Sequence, residues 1–175
     1  MPIQIKEMSA TPAKGTDSDI FLDVQARRAG KIKGEATTAD HVDDIQVLSW
    51  HWGVSAGSAI GSAAATSRRQ YRALVVTKGV DAASTGLLTA LVNNDELKEV
   101  NLTMRKAGGE ALAYFKMKLG GGRVVDVELD VDPAGRPVER VTFHYTQIEI
   151  DYQSQQADGT GGAGYSFNDD VMSTS

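Results

Sequence analysis

From residue 100 to 110 the chain reads VNLTMRKAGGE, an alternation of apolar and polar side chains that suits an extended strand and no helix. Val100, Leu102 and Met104 fall on one face, and Asn101, Thr103 and Arg105 on the other. Lys106, Ala107 and the Gly108-Gly109 pair end the strand, because glycine takes the positive φ angles of a tight reversal. A half-buried antiparallel sheet is therefore the minimum that this chain must build.

The same period recurs along the sequence. Ile20, Leu22 and Val24 share a face of a first strand, and residues 71–78 form another. Between them, residues 25–30 carry Arg27 and Arg28 ahead of an Ile32-Lys33-Gly34-Glu35 turn. In residues 44–53, Ile45 and Val47 point one way while Leu48, Trp50 and Trp52 take the opposite parity. Such a change of phase needs a bulge, a bend between layers, or burial on both faces. Residues 141–153 switch phase too, from Val141, Phe143 and Tyr145 to Ile148, Ile150 and Tyr152. Residues 112–119 and 123–131 flank Gly120-Gly121-Gly122, and the spacing predicts a hairpin there. It pairs Met117 with Val125, Phe115 with Val127 and Lys116 with Asp126, each pair contributing about 0.2–1 kcal/mol. Residues 133–137 supply a further turn.

One helix is expected, over residues 81–94. Asp81 or Ser84 can cap it, Leu87, Leu88, Leu91 and Val92 form its apolar stripe, and Asn93-Asn94 suits its end. Seven or so strands, two of them phase-switched, and one helix predict a mainly β fold: an antiparallel β-barrel with one α-helix packed beside it and an extended loop. Trp50, Trp52, Leu87, Leu91, Phe115 and Val127 are its expected core residues. The loop is residues 53–69, rich in Gly, Ala and Ser, without a sustained period and too long for a hairpin turn. Residues 1–18 are polar and small with Pro2 and Pro12, and are read as a flexible arm ahead of a single domain over residues 19–175.

Several function classes are disfavoured. A formal charge of −5, from 18 basic and 23 acidic residues, argues against a nucleic-acid partner. No apolar run reaches the length of a membrane span and the N-terminus has no signal-like apolar region, so neither membrane insertion nor a Sec-type route is expected. Without cysteine there is no disulfide or thiolate metal site. His41, His51 and His144 lack a paired ligand spacing and read as surface or sheet-face residues, so no metal is expected. Asp126, Glu128, Asp130 and Asp132 alternate along one strand and read as a solvated face. No phosphate-binding glycine motif is present and no cofactor is implied. Residues 53–57 match G-x-S-x-G, with Asp126 and His144 following in hydrolase order. That motif works at a strand-to-helix elbow above a parallel sheet, and here no helix follows. Ser55 is therefore read as part of the loop, and a serine hydrolase is only the alternative from a different class.

Four blocks, DIFL at 19–22, VLSWHWG at 47–53, VNLTMRKAGGE at 100–110 and VTFHYTQIEIDYQ at 141–153, resemble the Hcp family in kind and in order. The resemblance runs over residues 19–171. It implies a non-enzymatic tube subunit of a bacterial type VI secretion system: a homohexameric ring that stacks within a contractile sheath and is expelled with a spike complex. Its lumen can hold effector proteins. Such a subunit is cytoplasmic before assembly and is then secreted without a signal peptide. A tail-tube protein of a phage-like contractile particle would share the barrel and ring.

By the same resemblance, residues 53–69 match the loop that reaches an adjacent ring, with Val54, Ser55, Gly57 and Ser58 on its first limb. Ile60, Gly61, Ser67 and Arg68 complete the candidate stacking residues. The Trp50-His51-Trp52 block matches the strand beside the pore. If both tryptophans face the core, Ser49 and His51 face the other way and are candidates for the lumen. Arg105 and Lys106 are candidates for the contact between subunits.

Overall fold

A computed structural model describes residues 18–57, 60–61, 69–107, 112–158 and 160–171. These hold twelve strands and one helix. In chain order they are β1 (Ser18–Ala26), β2 (Gly30–Lys31), β3 (Ile45–Gln46), β4 (Ser49–His51), β5 (Val54–Ala56), β6 (Arg69–Tyr71) and β7 (Leu74–Gly79). Then follow α1 (Ala83–Val92), β8 (Leu97–Lys106), β9 (Ala113–Val131), β10 (Pro137–His144), β11 (Gln147–Gln155) and β12 (Gly161–Asp170). The count exceeds that expected because long alternating runs are broken: residues 71–78 part at Arg72-Ala73, and residues 141–153 part at Tyr145-Thr146. β12 had no sequence forecast at all. Its Gly-rich, aromatic run lies almost wholly exposed against β11 and therefore lacks a buried face to produce alternation.

The expected hairpin at Gly120-Gly121-Gly122 does not form. β9 runs unbroken through the glycines. Its first half lies between β8 and β11, pairing Leu102 with Met117 and Met117 with Ile150; its second half pairs with β10, Val127 opposite Val141. Lys116 stands opposite Thr103 and Asp151, not opposite Asp126. The local complementarity was real, but five of the six side chains stand opposite another strand, while Val125 falls at the bulge facing Thr142-Phe143 and is exposed. What the glycines provide is a corner. Gly121 has φ +58°, and a Cβ on Gly121 or Gly122 would overlap Thr146 Oγ1 or the His144 carbonyl oxygen respectively. β10 and β11 bend at the matching place, where the Thr146 N–H donates to the Gly120 carbonyl at 3.0 Å. The two phase changes expected in the last long strand and in residues 44–53 are both bends.

The second bend closes the barrel. The sheet runs β1-β8-β9-β10-β7-β4, and β3 pairs back onto β1. β3 and β4 are the two ends of one extended segment. Leu22 is paired with Ile45, Trp50 with Val76, and in between the Val47 N–H donates to Ile20 O (3.0 Å) and the Leu48 N–H to Thr77 O (2.8 Å). Hydrogen bonding passes from one neighbour to the other within two residues, so the ring of strands returns to β1. Val47 is buried and Leu48 is exposed, which is the phase change seen in the sequence.

The core lies inside this wall, with Leu22, Val24, Ile45, Leu74, Val76, Leu102, Met117, Val141, Phe143 and Ile148 all buried. Leu87 is fully buried, while Trp50, Trp52, Leu91, Phe115 and Val127 are half-buried and pack against that cluster. The helix buries Ala83, Ser84, Leu87 and Ala90, and Leu88 and Val92 of the expected stripe face outward. Small residues at 83 and 90 let the helix approach the barrel closely, so the buried face centres on Ala83, Leu87 and Ala90 and turns away from Leu88 and Val92. Asp81 and Ser84 both serve its N-terminus: the Asp81 N–H donates to Ser84 Oγ (2.9 Å) and the Ala83 N–H to Asp81 Oδ1 (3.0 Å). Asn94, with φ +50°, ends it. The Arg27-Arg28 segment is the turn between β1 and β2. The buried Asp95 carboxylate accepts from the Arg28 and Ala29 N–H groups, both at 3.2 Å.

A buried ion pair joins helix and wall. Lys78 on β7 and Glu139 on β10 are both essentially inaccessible and bonded to each other; Lys78 Nζ also lies 2.8 Å from Asp81, and Ser84 Oγ donates to Glu139 at 2.9 Å. Among the described residues no helix is long and apolar enough to cross a membrane.

Candidate functional site

Beyond residue 52 the chain leaves the barrel. β5 and β6 pair only with each other, Ser55 opposite Gln70, forming a two-stranded ribbon separate from the main sheet. The base of the expected loop is thus strand. Val54, Gly57, Ile60 and Gly61 are exposed and Ser55 is half-buried, whereas Ser58, Ser67 and Arg68 lie outside the described residues. A ribbon this short is marginal in water by itself. Side chains hold it at two levels. At its root the Trp52 indole donates to Tyr145 Oη (2.6 Å), and that hydroxyl donates to the Arg72 carbonyl (2.7 Å). Burial pushes the Tyr145 phenol pKa up, and the indole donor pulls it partly back. Further out, Asp169 of β12 accepts from the Tyr71 hydroxyl and from Arg69 (2.8 Å). Burial first, and then the Asp169 carboxylate, push Tyr71 up to about 12, while the Tyr71 hydrogen bond and the Arg69 charge draw Asp169 below its ordinary value.

The strand beside the ribbon root is β4. Trp50 stacks on Phe115 with ring centroids 5.5 Å apart, and Trp52 lies 6.3 Å from Tyr71. With both tryptophans turned to the barrel, Ser49 and His51 are exposed on the other face. Ser55 sits in mid-strand in β5, with no elbow, and no hydrogen bond joins it to His144 or His144 to Asp126 among the described residues. Among those residues no three His, Cys, Asp or Glu side chains converge as a metal site would require. The acidic positions of β9 are partly paired: Glu128 with Arg140 and Asp132 with Arg136, both at 2.9 Å.

Arg105 does not project freely from the strand end. Its guanidinium lies over the Phe21 ring at 5.4 Å, 3.5 Å from Asp19, while Lys106 is exposed. A network that residue spacing did not suggest occupies the next stretch of wall. His41 stacks on Phe21 (4.2 Å, 5° between planes) and bonds Asp44 through Nδ1 (2.9 Å), and Asp44 and Asp23 both bind Lys31, at 2.6 and 3.2 Å. Burial weighs most on Lys31 and disfavours its charge, yet the two carboxylates together outweigh it and raise the pKa. The one sequence hint was Asp44 three residues after His41.

Residues 21–152 match the family model described as type VI secretion system effector, Hcp. The chain is 31% identical over 150 residues to protein hcp1 of Pseudomonas aeruginosa, covering 83% of this chain and 90% of that one. Among solved structures, a type six secretion system protein superposes with a TM-score of 0.76 at 25% identity, covering 84% of this chain and 91% of its own. A type VI secretion system effector from Yersinia pestis gives 0.70 at 26% identity, covering 87% of this chain and all of its own (100%). A barrel of this topology and this span of sequence agreement lead to one identification: the chain belongs to the Hcp family of type VI secretion tube proteins.

Proposed function

We propose that this protein works by shape: six copies close into a ring, rings stack into a tube inside a contractile sheath, and the tube leaves with the spike, carrying effector proteins in its lumen. Export then needs no signal peptide, and the tube subunit needs no catalytic group. The observation that carries the reading is the β5–β6 ribbon, which leaves a closed barrel and belongs to no other sheet. A wall whose strands are all paired has no use for such an arm within its own fold, and an arm of this kind suits contact with a neighbouring copy. In this reading residues 53–69 meet the next ring, Ser49 and His51 face the lumen, and Arg105 with Lys106 lies near the junction between subunits.

Native mass determination and negative-stain imaging of the purified protein test it. Six-fold annuli of uniform diameter are expected, with short stacks at high concentration. A monomer that persists at high concentration, with no annular particles, would refute the proposal.

A further inference from the structure

We infer that Asp169 is the positioning residue of the β5–β6 ribbon, so that the C-terminal strand sets the angle at which the stacking arm leaves the barrel; the consequence for stacking rests on the reading proposed above. The ribbon has no backbone pairing with the main sheet. Past its root, where Tyr145 joins Trp52 to Arg72, Arg69 and Tyr71 both bond to the barrel body at Asp169, and among the described ribbon residues they share that one carboxylate. Both come from β6, one residue apart in alternation, so they share a face and close on one carboxylate as a two-point grip. The Tyr145 bonds hold the ribbon at its root and the Asp169 bonds hold it further out, and fixation at two levels defines a direction that the root alone does not.

The carboxylate is itself held. Asp169 pairs with Ile148, a buried residue of β11, and the Val171 N–H donates to Thr146 O at 2.8 Å, tying β12 to the bend between β10 and β11. The grip therefore runs from the ribbon through Asp169 to the corner of the wall. β12 contributes almost no burial of its own. Its tie to the ribbon gives the strand a use that packing does not.

The test uses the full chain with Asp169→Ala and Tyr71→Phe, alone and combined. Amide hydrogen exchange is read in Val54–Ala56 and Arg69–Tyr71, with β8 as internal reference. Asp169→Ala is expected to speed ribbon exchange by about tenfold, with β8 unchanged. Tyr71→Phe is expected to do less, and the double variant to add little to Asp169→Ala, because the hydroxyl and the carboxylate act on each other. In parallel, native mass and imaging should show single rings retained and stacked rings several-fold fewer. A fully structural role for Asp169 would lower both together. Unchanged ribbon exchange in Asp169→Ala would overturn the inference, and loosened ribbons with wild-type stacking would overturn its consequence for assembly. If the parent protein makes no rings at all, the function reading fails, while the exchange comparison still decides the grip.

Discussion

Gly122 lies directly against the carbonyl of His144, so closely that a methyl group in place of its hydrogen would overlap the oxygen. Here β9 bends beside the break between β10 and β11, and the missing side chains let the two segments run this close through the corner. Gly121→Ala is expected to destabilise the fold by at least about 1–2 kcal/mol, the cost of a left-handed conformation for a residue with a Cβ. Gly122→Ala should be at least as harmful, since the group in its way is backbone and cannot rotate aside. Urea unfolding measures both, and a shift within about 0.5 kcal/mol for either would show that the corner does not require glycine.

The Lys78–Glu139 pair makes a separate prediction. Lys78→Met leaves the Glu139 carboxylate buried with no cation, and the expected loss is about 3–5 kcal/mol. Adding Glu139→Leu should recover most of that loss, because two apolar residues replace a pair whose desolvation offsets its attraction. Equilibrium unfolding of the two variants decides. A double variant no more stable than Lys78→Met alone would show that the pair is needed for more than mutual neutralisation.

The Asp169–Tyr71 grip has a pH window at each end. Asp169 is held below its ordinary 3.8, so the grip is fully present above that value and is lost as acid protonates the folded carboxylate. Tyr71 is held above its ordinary 10.0, so its share is present below that value and fades as pH rises through about 12. Between these limits ribbon exchange, corrected for intrinsic rates, should be flat with pH. A break near neutral pH would point to a different controlling group.

The placement of Ser49 and His51 can be read chemically, because the chain has no cysteine and any introduced thiol is unique. Ser49→Cys and His51→Cys should react with a small maleimide in every state. Once rings are stacked, a maleimide carrying a bulky polymer should label them much more slowly. Equal labelling of rings and stacks by the bulky reagent would place that face of β4 on the outside of the tube.

The alternating runs carried most of the architecture. They showed which side chains of residues 20–24 and 100–105 share a face, and the phase changes at Val47-Leu48 and near Thr146 marked both bends. They misassigned Gly120-Gly121-Gly122, because complementary pairs such as Lys116 and Asp126 describe a possible hairpin as well as two strands with other partners. Lys78 gave no warning either. Its parity with Leu74 and Val76 pointed inward, but a lysine at the end of a strand is ordinarily read as solvated, and its partner Glu139 lies far along the chain. β12 and Asp169 were invisible for a simpler reason, since an exposed strand has no buried side to leave a pattern.

By itself the sequence determined the class of fold, the faces of its strands and the family order of its motifs, because side-chain period depends only on neighbouring residues. The tertiary structure decided where the glycines bend the wall, which charges the core accepts and what holds the ribbon. Those outcomes depend on contacts such as Gly121 with Thr146, Lys78 with Glu139 and Tyr71 with Asp169, which meet only when distant strands come together.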